Sequence, residues 1–102
     1  MLNIPEMVEH CSYSNILQTV VERLGGEKVL RLDYDADWQG YVDIDVLLKD
    51  GRVFSFYYSY GSCEYCDDWM YRELSDEEIA KEMIQGATIF DNLDQYKNGV
   101  KS

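Results

Sequence analysis

Across residues 30–60 apolar and polar side chains alternate with a period of two, broken only at Gln39-Gly40 and Asp50-Gly51. That period belongs to extended strands with one face against a core, because a helix would scatter the same side chains around its axis. Leu30, Leu32, Tyr34, Ala36 and Trp38 alternate with Arg31, Asp33, Asp35 and Asp37. Beyond Gly40, Val42, Ile44, Val46 and Leu48 form a second apolar row, opposed by Tyr41, Asp43, Asp45, Leu47 and Lys49. Residues 28–48 therefore read as an antiparallel hairpin with one acidic face. Asp50-Gly51 is a compact turn signal, since both residue types accept the positive φ that suits sheet twist. The third strand follows it, with Phe54, Phe56, Tyr58 and Tyr60 on one side and Val53, Ser55, Tyr57 and Ser59 on the other.

The flanks change to helical spacing. Residues 5–24 read as helical with an interruption at Cys11-Ser12-Tyr13-Ser14, where small polar residues suit a turn or cap. Ile16, Leu17, Val20, Val21 and Leu24 make an apolar stripe, Gln18, Glu22 and Arg23 take the wet side, and Gly25-Gly26 stops the helix. Ser75-Asp76-Glu77-Glu78 has the form of a capping box ahead of Ile79, Met83 and Ile84. Gly86 ends or weakens that helix, and a shorter helical or irregular tail with Ile89, Phe90, Leu93 and Tyr96 follows. The fold class is α+β: a three-stranded antiparallel meander packed against N-terminal and C-terminal helices, as a single domain over residues 1–102. A 46% apolar composition with two Trp, nine Tyr and three Phe supplies the core for it.

Twenty acidic against nine basic residues give a formal charge of −11, which repels nucleic-acid backbone and anionic lipid and attracts a basic protein surface. The first residues lack the basic and apolar regions of a signal peptide, and no stretch has the length of a membrane span. A cytoplasmic setting is expected, in which Cys11, Cys63 and Cys66 stay reduced.

Cys63 and Cys66 stand in the run Gly61-Ser62-Cys63-Glu64-Tyr65-Cys66-Asp67. The spacing admits three readings. As a zinc clip it supplies two of four tetrahedral ligands, with Cys11, His10, Asp67 or Asp68 as sources of the others, or with a homodimer sharing two Cys63/Cys66 pairs around one ion. As a redox pair it is opposed by Glu64, Asp67 and Asp68, whose charges disfavour a thiolate. As a structural turn it needs only Gly61 to bend the chain and small thiols to pack under Tyr65 or Trp69, which is the most economical of the three and requires no cofactor. The run resembles a Gly-Ser-Cys-x-x-Cys-Asp pattern of small uncharacterised bacterial and phage-associated proteins. That resemblance implies membership of a small-protein family and brings no activity with it.

Asp33, Asp35 and Asp37 alternate on one strand and Asp43 and Asp45 on its neighbour, so their carboxylates can converge across the hairpin. No EF-hand loop accompanies them, which makes a solvated acidic face the simpler expectation than a cation site. No nucleophile, oxyanion loop or Ser/His/Asp arrangement is legible, and His10 is the sole histidine, so enzymatic chemistry has no assigned residues. Aromatic side chains with polar tips, Tyr57, Tyr65 and Trp69 among them, can centre a protein interface. The sequence thus points to a small interaction or regulatory module. Its face would combine Asp33, Asp35, Asp37, Asp43, Asp45, Tyr57, Tyr65 and Trp69, directed at a basic protein and in a narrower version imitating nucleic-acid charge. The alternative is a structural zinc protein clipped through Cys63, Cys66, Cys11 and His10.

Overall fold

Residues 2–8, 13–35, 40–59, 69 and 72–99 are described by the computed structural model. Their order is α1 (Ile4–Met7), α2 (Ser14–Leu24), β1 (Gly26–Asp35), β2 (Tyr41–Leu48), β3 (Val53–Ser59), α3 (Asp76–Gly86), β4 (Thr88–Phe90) and α4 (Leu93–Gly99). The three expected strands form an antiparallel meander, and α+β is the class. The strand count is corrected, because the sheet has four strands in the order β1-β2-β3-β4. β4 pairs with β3 through Val53↔Phe90, Phe54↔Ile89 and Ser55↔Thr88. A run of three residues is too short to display alternation. What recruits it is the open edge of β3, which lies outside the local pattern.

Each local signal has a physical counterpart. Gly51 takes φ 95° in the β2–β3 turn, and Asp50 closes that turn by accepting from the Arg52 backbone N–H at 3.0 Å. Gly25 takes φ 81° at the end of α2, and its N–H donates to the Glu22 carbonyl. At α3 the capping box is complete. Glu78 N–H donates to Ser75 Oγ at 3.2 Å, and Ser75 N–H donates to Glu78 Oε1 at 3.0 Å. The expectation that Gln18 takes the wet side of α2 holds only in part, because the side chain is half-buried. Its Oε1 accepts from Ile4 N–H at 2.7 Å and its Nε2 donates to the Leu2 carbonyl at 3.0 Å, tying α1 to α2.

The helices α2 and α3 cover one face of the sheet. Leu17, Val20, Val21, Ile79 and Met83 meet Val42, Ile44, Val46, Leu48, Phe54 and Phe56, all buried. A register shift between Val29 and Arg31 makes Val29, opposite Val46, a β1 residue packed on this core along with Leu32, whereas simple alternation predicts Leu30 in its place. Arg23 joins the two helices through a two-pronged pair with Glu77, both contacts at 2.9 Å. Among the described residues no helix is long and apolar enough to cross a membrane.

Candidate functional site

The other face of the sheet carries the polar residues of the alternation. Antiparallel register sets them in rows: Arg31, Asp45, Ser55 and Thr88 in one, Asp33, Asp43 and Tyr57 in the next, Asp35, Tyr41 and Ser59 in the third. Residues opposite one another in neighbouring strands hold their Cβ atoms about 5 Å apart, so these side chains touch or share counter-charges. Asp33, Asp35, Asp43, Asp45 and Tyr57 are therefore brought together. Asp37 and Tyr65 lie outside the described residues.

Asp45 departs from the expected solvated face. It is fully buried at 0% exposure. Three donors hold its carboxylate: Arg31 Nε at 2.9 Å, Ser55 Oγ at 2.6 Å and Tyr96 OH at 2.7 Å. The cover comes from α4, which lays Tyr96 over the sheet and sets its ring edge-on to Phe90, centroids 5.7 Å apart. A carboxylate in such a place is tolerated because its lone pairs are answered. Burial, reinforced by the hydrogen bond to Asp45, pushes the Tyr96 phenol above its ordinary range. Arg31 spans two carboxylates, since its Nη2 also donates to Asp43 at 2.7 Å. The hydrogen bonds to Asp43 and Asp45 drive its pKa further up, so the cation is permanent.

Beyond this anchor the face is open. Tyr57 is 60% exposed. The Tyr41 and Tyr57 rings lie 6.2 Å apart, and Tyr41 OH donates to Asp33 at 3.2 Å. Partial desolvation, then that hydrogen bond, raises the Tyr41 phenol and keeps it a neutral donor at physiological pH. Asp33 stands directly across from Asp43, a like-charge pair of which only Asp43 is salt-bridged to Arg31. A cleft of about 470 Å³ borders the anchor, lined by Arg31, Asp43, Asp45, Ser55, Thr88 and Phe90 among others.

Trp69 belongs elsewhere. It is 6% exposed and stacks on Tyr58 with centroids 3.8 Å apart, on the core side of the sheet. Its Nε1 donates to Glu82 at 3.1 Å, and Arg72 grips the same carboxylate at 2.9 and 2.6 Å. The Arg72 guanidinium, opposed by desolvation and assisted by Trp69, holds Glu82 below the usual carboxylate range. Trp69 is thus a core residue and contributes nothing to the acidic face.

Cys11, Cys63, Cys66 and His10 lie outside the described residues, as do all the thiols and the imidazole of the chain. Among the described residues no three His, Cys, Asp or Glu side chains converge to hold a metal ion. Sequence reasoning missed Arg31, Ser55 and Tyr96 as partners of Asp45. Arg31 was visible as the one cation interleaved with Asp33, Asp35 and Asp37, whereas nothing local to Tyr96 announces a contact 51 positions away in the chain. Comparison with known proteins gives no matching family model, no matching curated protein and no matching solved structure.

Proposed function

We propose that this chain is a small interaction or regulatory module which offers the outer face of its sheet to a basic protein partner. The observation that carries this reading is the row Asp33, Asp43 and Tyr57, which sets two facing carboxylates beside a tyrosine that is 60% exposed, on the side of the sheet away from α2 and α3. A net charge of −11 steers basic surfaces toward such a face, and an exposed tyrosine supplies contact area at small entropic cost. The narrower version, competition with nucleic acid for the partner's cationic surface, follows from the same carboxylate rows. A cytoplasmic setting suits both.

An arginine-rich decapeptide titrated at about 50 mM and about 300 mM salt tests the reading. Affinity falls as salt rises, and the double variant D33N/D43N binds about tenfold more weakly at low salt. Equal affinity of the double variant and the parent chain, or binding indifferent to salt, overturns it.

One contact favours the zinc reading as a second function. Tyr13 meets Trp69 with ring centroids 5.2 Å apart and Tyr58 at 5.6 Å. These residues flank the segments that hold His10 and Cys11 on one side and Cys63 and Cys66 on the other. In sequence Cys11 is two positions from Tyr13 and Cys66 three positions from Trp69. Elemental analysis of protein purified without added zinc tests it. Near-stoichiometric zinc that is lost in C63S supports the clip, and zinc-free folded protein removes it.

A further inference from the structure

The sheet ends in two edges, and they differ. β4 spans three residues, too few to template another strand, whereas β1 runs for ten. Among the described residues no strand pairs with the side of β1 that faces away from β2. Every second residue of such an edge turns its N–H and C=O outward, ready to pair with another chain. The first half of β1 is blunted by register shifts between Gly26 and Lys28 and between Val29 and Arg31. Residues 31–35, by contrast, pair without interruption along β2. Asp33 and Tyr34 point to opposite faces and both are exposed, Tyr34 to 37%. Solvent therefore reaches this stretch from both sides of the sheet, as it does at an uncovered edge.

Charge selects what can pair there. A second copy would bring its own −11, and the cation that would have to answer its carboxylates, Arg31, is already held by Asp43 and Asp45. A basic strand meets the opposite situation. Asp33 faces Asp43 across β1 and β2, and like charges directly opposite are destabilising, so a cation laid along the far side of Asp33 relieves that repulsion. On the other face Tyr34, 37% exposed, offers apolar surface to the alternate residues of the same strand.

We infer that residues 31–35 of β1 accept an added β-strand from the partner, an extended segment in which Lys or Arg alternates with apolar residues. This rests on the basic-partner reading above and specifies the mode: backbone pairing supplies affinity, Asp33 selects the cation, and Tyr34 selects an apolar position.

The probe is the peptide acetyl-Lys-Val-Lys-Val-Lys-Val-Lys-amide, compared with two forms methylated on the backbone nitrogen, one at the valines and one at the lysines. Successive amides of a strand point in opposite directions, so only one set can face β1. The parent peptide binds in a salt-sensitive way, one methylated form loses about tenfold or more, and the other binds like the parent. In the complex the amides of residues 31–35 that face outward gain hydrogen-exchange protection. Two methylated forms that both match the parent overturn edge pairing and leave docking on the open face intact. Absence of binding up to about 1 mM overturns the inference, and the arginine-rich titration with D33N/D43N then shows whether the wider reading falls with it. Dimers in sedimentation whose 31–35 amides are protected without peptide assign the edge to a second copy and overturn it equally.

Discussion

Asp45 shows how much a single side chain can depend on distant parts of the chain. Its carboxylate is fully buried, and Arg31, Ser55 and Tyr96 donate to it from two other strands and a helix. A buried ion pair is not in itself a large stabiliser, because desolvation offsets the attraction; removing one partner is costly because the others are left unanswered. Arg31 keeps a 43% exposed side chain and recovers some hydration, so the loss falls short of a fully enclosed pair. Asp45→Ala should lower the unfolding free energy by about 2–4 kcal/mol, and Asp45→Asn, which keeps an acceptor, by about 1–2 kcal/mol. Urea denaturation measures both. An alanine variant within about 0.5 kcal/mol of the parent chain would mean that the three contacts carry no net weight.

At the scale of elements, α3 is held by its first turn and by its acidic side chains. Ser75→Ala removes one half of the capping box and should cost about 1 kcal/mol. The Ser75 backbone N–H, followed by its hydroxyl, holds Glu78 below the usual carboxylate range. Arg23 does the same for Glu77, first by hydrogen bonding and then by charge, and Arg72 for Glu82. All three groups bind protons less readily folded than unfolded. Their contribution is therefore complete above the unfolded value of about 4.3 and drains away as pH falls through it toward the lower folded values. The melting temperature should drop as pH falls below about 4.5, and E78Q should show a shallower drop than the parent chain. Identical acid limbs would show that the cap does not sense protonation. The apolar stripe of α3 was readable from Ile79 and Met83, while the pairing of β4 with β3 was not, because Thr88, Ile89 and Phe90 carry no pattern of their own length.

For the molecule as a whole, two electrostatic effects compete. Exposed pairs such as Arg23–Glu77 and Arg52–Asp50 contribute little, because solvent screens them, and they weaken further in salt. Against them stands the self-repulsion of a chain at −11, which salt relieves over the whole surface. The second effect acts on every uncompensated carboxylate and should win. Thermal scans at pH 7 should show the melting temperature rising as NaCl is raised from about 0.02 M to about 0.5 M. A fall would place the greater weight on local ion pairs and weaken the case for a strongly acidic docking surface.

Residues that were legible in sequence are those whose environment is set by near neighbours: the period-two rows of β2 and β3, the stripe of α2 ended by Gly25, the Asp50-Gly51 turn and the Ser75/Glu78 box. Local periodicity is enforced by backbone geometry, and geometry of that range is written into consecutive residues. The tertiary structure alone decided that β4 extends the sheet, that Val29 displaces Leu30 from the core, that Gln18 fastens α1, and that Tyr96 buries Asp45 while Trp69 joins the core. Each of those outcomes depends on which surfaces were left open after the local elements had formed. Only the packed chain brings such surfaces together.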